Sequence, residues 1–186
     1  MKVKIHCFEG EWDRKRPQLS VKPLIELLGH SPGNNISVSY KHCQSIQRLT
    51  EDLRIDGRTL SSRAHQQCLY FAFHGNGGGL WGSEGDRLIP FDEIAAILEQ
   101  KAAGSIIFFG SCGTHATSAA LKSLKIKTNA RLVVGYGTTV DWFDSSVFEM
   151  AFFNELCRYQ KLGSFLNKIQ KVANQEMFNK LKVRLI

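Results

Sequence analysis

The sequence predicts an α/β fold: a three-layer sandwich with an open, mostly parallel sheet and helices on both faces. Three observations lead there. Two wholly apolar runs, Leu69-Tyr70-Phe71-Ala72-Phe73 and Ile106-Ile107-Phe108-Phe109, are too short for helices and have the bulk of strands buried on both faces. Strand-like and helix-like segments alternate along the chain, the pattern of right-handed crossovers between parallel strands. The chain has 186 residues and 43% hydrophobic content, which suits one domain over residues 1–186 that buries roughly 70% of its unfolded surface.

Taken in order, Val3 to Phe8 is the first predicted strand, and it opens into a charged loop of Glu9, Gly10, Glu11, Trp12, Asp13 and Arg14. Leu24, Ile25, Leu27 and Leu28 follow Pro23 as a short helix that stops near Gly29, and Ile36-Ser37-Val38-Ser39-Tyr40 alternates as the second strand. A second helix covers Ile46 to Ile55. The Leu69–Phe73 strand runs into His74-Gly75, and the glycine-rich stretch Gly77 to Gly82 predicts a small hairpin before Pro90. Asp92 is expected to cap a helix that runs through Leu98. After the Ile106–Phe109 strand come a helix over Ala116 to Leu124, a fifth strand at Leu132-Val133-Val134-Gly135-Tyr136 and a helix over Val147 to Leu156. Phe165, Ile169, Val172 and Ala173 recur at helical spacing, and Leu181-Lys182-Val183-Arg184-Leu185 alternates like a half-buried edge strand.

The net charge is +7, and seven basic residues from Arg158 onward face the single acidic Glu176. Such a tail could meet nucleic acid, but its helical apolar spacing favours a packed helix with a solvated lysine face. Five cysteines without a C-x-x-C pair read as reduced thiols. The first residues lack the apolar core of a signal peptide, and no apolar stretch approaches the roughly 18 residues of a membrane span. The expectation is a cytoplasmic protein with no membrane partner and no cofactor.

Chemistry concentrates at the ends of the two apolar runs. In an open parallel sheet, ligands gather outside the carboxyl ends of the strands, near the point where strand order reverses. If the runs lie side by side, His74 and Cys112 meet there as a base beside a thiol, the pairing a cysteine nucleophile needs. Trp12, Trp81 and Trp142 fall in loops at the same edge, where they either form an aromatic rim or cap the core. Gly110-Ser111-Cys112-Gly113 superficially resembles a nucleophile elbow, but chain order rejects the α/β-hydrolases, because their histidine follows the nucleophile near the chain end and the last histidine here is His115. A glutamine amidotransferase fails on the same ground. Zinc is weaker still: Cys112 and His115, or His65 and Cys68, have acceptable spacing, but Cys68 leads into a strand that should bury it.

A histidine ending one apolar strand, followed 38 residues later by a cysteine ending the next, resembles the caspase-like cysteine peptidases, among them caspases, metacaspases, separase and the bacterial caspase-like and CHAT proteins. The resemblance covers the chain from about Met1 to its end and implies a caspase- and flavodoxin-like strand order. It implies a cysteine endopeptidase with Cys112 as nucleophile, His74 as general acid/base, and the backbone N–H groups of Gly75 and Cys112 as oxyanion hole. It also implies protein or peptide substrates, an effector role in immune or cell-death pathways, activation by a separate sensor or a diffusible signal, and a homodimer paired through the last strand. Where caspases place glutamine two residues before the nucleophile, this chain has Gly110, so an aspartate preference at P1 does not carry over. The carboxylates of Glu9, Glu11 and Asp13 after the first strand, with Asp141 and Asp144 after the fifth, point instead to a basic P1. Two rival readings stay open: an inactive caspase-like scaffold that binds a partner or ligand, and a basic nucleic-acid-binding protein.

Overall fold

The computed structural model of the chain describes residues 2–12, 19–33, 35–56, 65–82, 87–113, 118–173 and 175–186. The strands are β1 (Val3–Glu9), β2 (Ile36–His42), β3 (Gln66–Ala72), β4 (His74–Asn76), β5 (Gly79–Trp81), β6 (Leu88–Pro90), β7 (Ile106–Phe109), β8 (Leu132–Tyr136) and β9 (Val183–Leu185). The α-helices are α1 (Lys22–His30), α2 (Ile46–Asp56), α3 (Phe91–Leu98), α4 (Ser118–Thr128), α5 (Trp142–Leu156), α6 (Leu162–Val172) and α7 (Gln175–Leu181).

Six strands form the main sheet in the order β2-β1-β3-β7-β8-β9, all parallel except β9, which runs antiparallel to β8. This is the expected mixed α/β architecture. From β1 the chain crosses to β2 on one side and then returns to place β3 on the other, so the crevice of reversed strand order opens between the carboxyl ends of β1 and β3. β4, β5 and β6 form a separate three-stranded antiparallel sheet, one strand more than the expected hairpin.

The strict alternation of side chains along a strand divides the core in two. On β3, Cys68, Tyr70 and Ala72 join one cluster with Phe148, Phe152 and Phe153 of α5 and Phe165 and Ile169 of α6. Leu69, Phe71 and Phe73 face the opposite cluster with Leu49, Leu53, Phe91, Ile94, Leu121 and Leu124 from α2, α3 and α4. β7 divides likewise, Ile106 and Phe108 to one side and Ile107 and Phe109 to the other. A strand buried on both faces has no polar positions to spare, and this is why these runs are apolar throughout.

Two helix starts differ from expectation. Asp92 does not cap α3: Pro90 occupies the N-cap, and Asp92 sits in the first turn, where it pairs with Lys127 of α4. α5 begins five residues before Val147, because Asp141 is its N-cap and accepts hydrogen bonds from the amides of Phe143 and Asp144 at 2.9 and 3.1 Å. The basic tail supplies the outer faces of α6 and α7, which bury Phe165, Ile169 and Leu181, and the alternating final segment does form a strand. Among the described residues, no helix is long and apolar enough to cross a membrane.

Candidate active site

Parallel pairing of β3 with β7, Phe71 opposite Phe109, delivers the segments after both strands to the same edge of the sheet. The two segments are tied together. Gly110 donates its amide to the Phe71 carbonyl at 2.9 Å, and the buried Ser111 hydroxyl accepts from the Phe73 amide at 3.3 Å. Gly113 adopts a φ of 56°, a left-handed conformation suited to glycine, and its amide reaches Thr138 at 2.8 Å.

Past these anchors, His74 and Cys112 line one cavity of about 150 Å³ together with Trp12, Val21, Val140, Trp142, Ser145 and Ser146, over a floor of Tyr70, Gly110 and Glu149. His74 is exposed and Cys112 half-buried. The His74 Nε2 lies 2.5 Å from the backbone oxygen of Trp12. A carbonyl can only accept, so Nε2 carries the proton and the neutral ring keeps its lone pair at Nδ1, the nitrogen able to act as a base. The Trp12 indole packs edge-on against the His74 ring at 5.2 Å and against Trp142 at 5.0 Å. Two of the three tryptophans thus converge on the cavity, and Trp81 stands on β5 opposite His74. Gly75 follows His74 in β4, which pairs with β5.

The other cysteines are poor nucleophiles. Cys7, Cys43, Cys68 and Cys157 are buried. Burial pushes the thiols of Cys7 and Cys68 far up and raises that of Cys43 to about 12, so their thiolates are scarce at neutral pH.

The carboxylate that faces the cavity is Glu149, on α5, which the sequence reading did not single out. It accepts hydrogen bonds from the hydroxyls of Tyr70 at 2.5 Å and Tyr136 at 2.9 Å. Burial raises its pKa to about 7, with the two tyrosine hydrogen bonds pulling the other way. A sequence signal did exist: Glu149 is an acidic residue within the apolar face Phe148, Phe152, Phe153 and Leu156, all buried with it. The loop acids Glu11, Asp141 and Asp144 are not among the residues that line this cavity. Asp141 caps α5, Asp144 forms an ion pair with Lys180, and Glu11 lines a separate cavity, to which Trp12 also contributes, with Glu9, Ser20 and Tyr40. Asp13 lies outside the described residues, as does His115.

Gly110 explains how Glu149 reaches the floor. A Cβ at this position would lie 2.6 Å from the Tyr70 ring and 2.9 Å from both the Tyr70 hydroxyl and Glu149 Oε1, so only glycine leaves that space open. The position two residues before Cys112 is therefore empty of side chain, and the polar group there comes from α5.

A six-stranded, mostly parallel sheet with helices on both faces and its crevice at the carboxyl edge defines a caspase-like α/β fold. Over 92% of its length the chain superposes, with a TM-score of 0.61 and 13% sequence identity, on the X-ray structure of a secreted C11 cysteine protease from Bacteroides thetaiotaomicron in complex with an irreversible peptide inhibitor. At that identity the likeness concerns the fold, and this chain spans 57% of the length of that one. By its sequence the chain belongs to a family of unknown function (DUF6642), whose model matches residues 2–185. No curated protein matches it.

Proposed function

We propose that the protein is a cysteine endopeptidase that cleaves through an acyl-enzyme on Cys112, with a preference for a cationic residue at P1. One observation carries this reading: His74 and Cys112, brought from two adjacent strands, line the same cavity, and the imidazole is held in the tautomer whose Nδ1 can accept a proton.

In the proposed cycle, Nδ1 of His74 takes the thiol proton of Cys112 as the sulfur attacks the scissile carbonyl carbon. The amides of Gly75 and Cys112 donate to the oxyanion that forms, donors of a kind worth roughly 3 to 4 kcal/mol each. Collapse breaks the C–N bond, the leaving amine takes the proton from His74, and a thioester remains. Water then adds to the thioester, its proton passes to His74, and the thiolate leaves and is reprotonated while the new carboxyl terminus departs.

Glu149 supports the P1 assignment. An arginine or lysine side chain entering the cavity would meet a buried carboxylate that takes one tyrosine hydroxyl on each oxygen and keeps acceptor capacity, and away from bulk water charge attraction is strong. The natural substrates are proteins, and an effector role would place them downstream of an activating signal. Mapping new protein amino termini in cells that express wild type or Cys112→Ala tests the reading. Termini that follow arginine or lysine and depend on Cys112 support it, and identical terminus sets from the two cultures overturn it.

A further inference from the structure

We propose that Glu9 is a positioning residue for His74 and acts through Trp12. The inference rests on the peptidase reading for its kinetic consequence but not for its structural one.

Glu9 ends β1 and is buried, with 1% of its surface exposed. Among the described residues its carboxylate accepts four hydrogen bonds, all from neutral donors. Oε1 takes the Trp12 indole N–H and the Val21 amide, each at 2.7 Å. Oε2 takes the Ser20 hydroxyl at 2.7 Å and the Tyr40 hydroxyl at 2.6 Å. A carboxylate has about four lone-pair sites, so this one is saturated and has no capacity left for substrate or cation. Its role must lie in what it holds.

It holds both ends of the segment that leaves β1, Trp12 on one side and Ser20 with Val21 on the other. Trp12 in turn contacts His74 twice, by its carbonyl at Nε2 and by its indole edge against the imidazole ring. Gly10, between Glu9 and Trp12, runs tight over Phe73, where a Cβ would lie 2.4 Å from the ring, and Phe73 directly precedes His74. A chain of contacts therefore runs from a saturated buried carboxylate, through one indole and its own carbonyl, to the nitrogen that sets the tautomer of the base. Second-layer groups of this kind fix ring orientation, and losing such a group is felt through the residue it orients.

The test uses the full chain labelled with ¹⁵N-histidine. In wild type, His74 is expected as the Nε2–H tautomer. Glu9→Leu removes every acceptor that the Trp12 indole and the Val21 amide now use, so Trp12 loosens, His74 moves to a mixture of tautomers, and kcat falls about 100-fold with KM changed less than about threefold. Tyr40→Phe removes a Glu9 hydrogen bond without touching Trp12 and should leave both the His74 spectrum and kcat unchanged. If Glu9→Leu does not fold, Trp12→Phe removes the indole donor together with part of the ring that packs on His74, and should shift the His74 tautomer in the same direction. Unchanged His74 resonances in a folded Glu9→Leu or Trp12→Phe protein overturn the proposal, as does an equal shift in Tyr40→Phe. A wild type that cleaves no substrate would refute the peptidase reading, and the spectrum would still decide the role of Glu9.

Discussion

Glu149→Gln separates the two roles the buried carboxylate has in this account. Its ordinary value of 4.5 is raised to about 7 in the folded protein, with burial the largest cause. Between those limits the unfolded chain has released the proton while the folded one keeps it, so folding binds a proton and stability falls as pH rises. A displacement from 4.5 to about 7, at 1.36 kcal/mol per pH unit, makes the loss about 3 kcal/mol, complete above pH 7 and absent below 4.5. Glutamine does not titrate, and one tyrosine hydroxyl can turn to accept from its amide, which is a cost independent of pH. Denaturant unfolding of both proteins at pH 4 and pH 8 should therefore show the stability of Glu149→Gln relative to wild type improving by about 3 kcal/mol at the higher pH. The kinetic arm runs the opposite way: the variant loses cleavage after arginine and lysine, and in wild type KM for such substrates rises as pH drops below 7 and Glu149 takes up its proton. A stability difference that stays flat between the two pH values would refute the buried, titrating carboxylate. An unchanged P1 preference would refute its role in the pocket.

Two further outcomes are expected. Gly110→Ala forces a Cβ against the Tyr70 ring and Glu149 Oε1, both held by hydrogen bonds, so it should cost about 1–3 kcal/mol in thermal or chemical unfolding, and a variant as stable as wild type would contradict the crowding. β9 lies at the edge of the sheet with Arg184 exposed, and pairing of that edge with its copy would make a dimer. A chain ending at Asn179 should then sediment as a monomer and, because it also loses the buried Leu181 and Val183, unfold at lower temperature; a full chain that is monomeric at every concentration would refute the pairing.

What the sequence made legible follows from how local the signals are. β3 and β7 announce themselves because a strand covered on both faces is apolar at every position, and glycine marks where each ends. Once the two strands pair, the same periodicity puts His74 and Cys112 at one sheet edge. Glu149 is only half legible: its place among the aromatic residues of α5 marks it as buried, but its partners, Tyr70, 79 residues away, and Tyr136 on another strand, lie beyond any local pattern. The start of α5 was hidden for a different reason: its first turn, Trp142-Phe143-Asp144-Ser145, ends in polar residues that Ser146 continues, and the Asp141 cap is what marks it. Glu9 and Asp144 illustrate the same difficulty with charge, since a carboxylate in a loop carries no mark that distinguishes a buried anchor, a surface ion pair and a substrate contact.

Activation of Cys112 by His74, the core of the proposed reaction, is read by covalent labelling. Wild type, Cys112→Ala and His74→Ala are treated with a peptidyl acyloxymethyl ketone bearing arginine at P1, and the modified residue is located by mass spectrometry. A single adduct on Cys112 is expected in wild type, none in Cys112→Ala, and much slower labelling in His74→Ala, with Cys7, Cys43, Cys68 and Cys157 untouched in their buried sites. A folded wild type that forms no adduct, or that is labelled equally fast without His74, would contradict it.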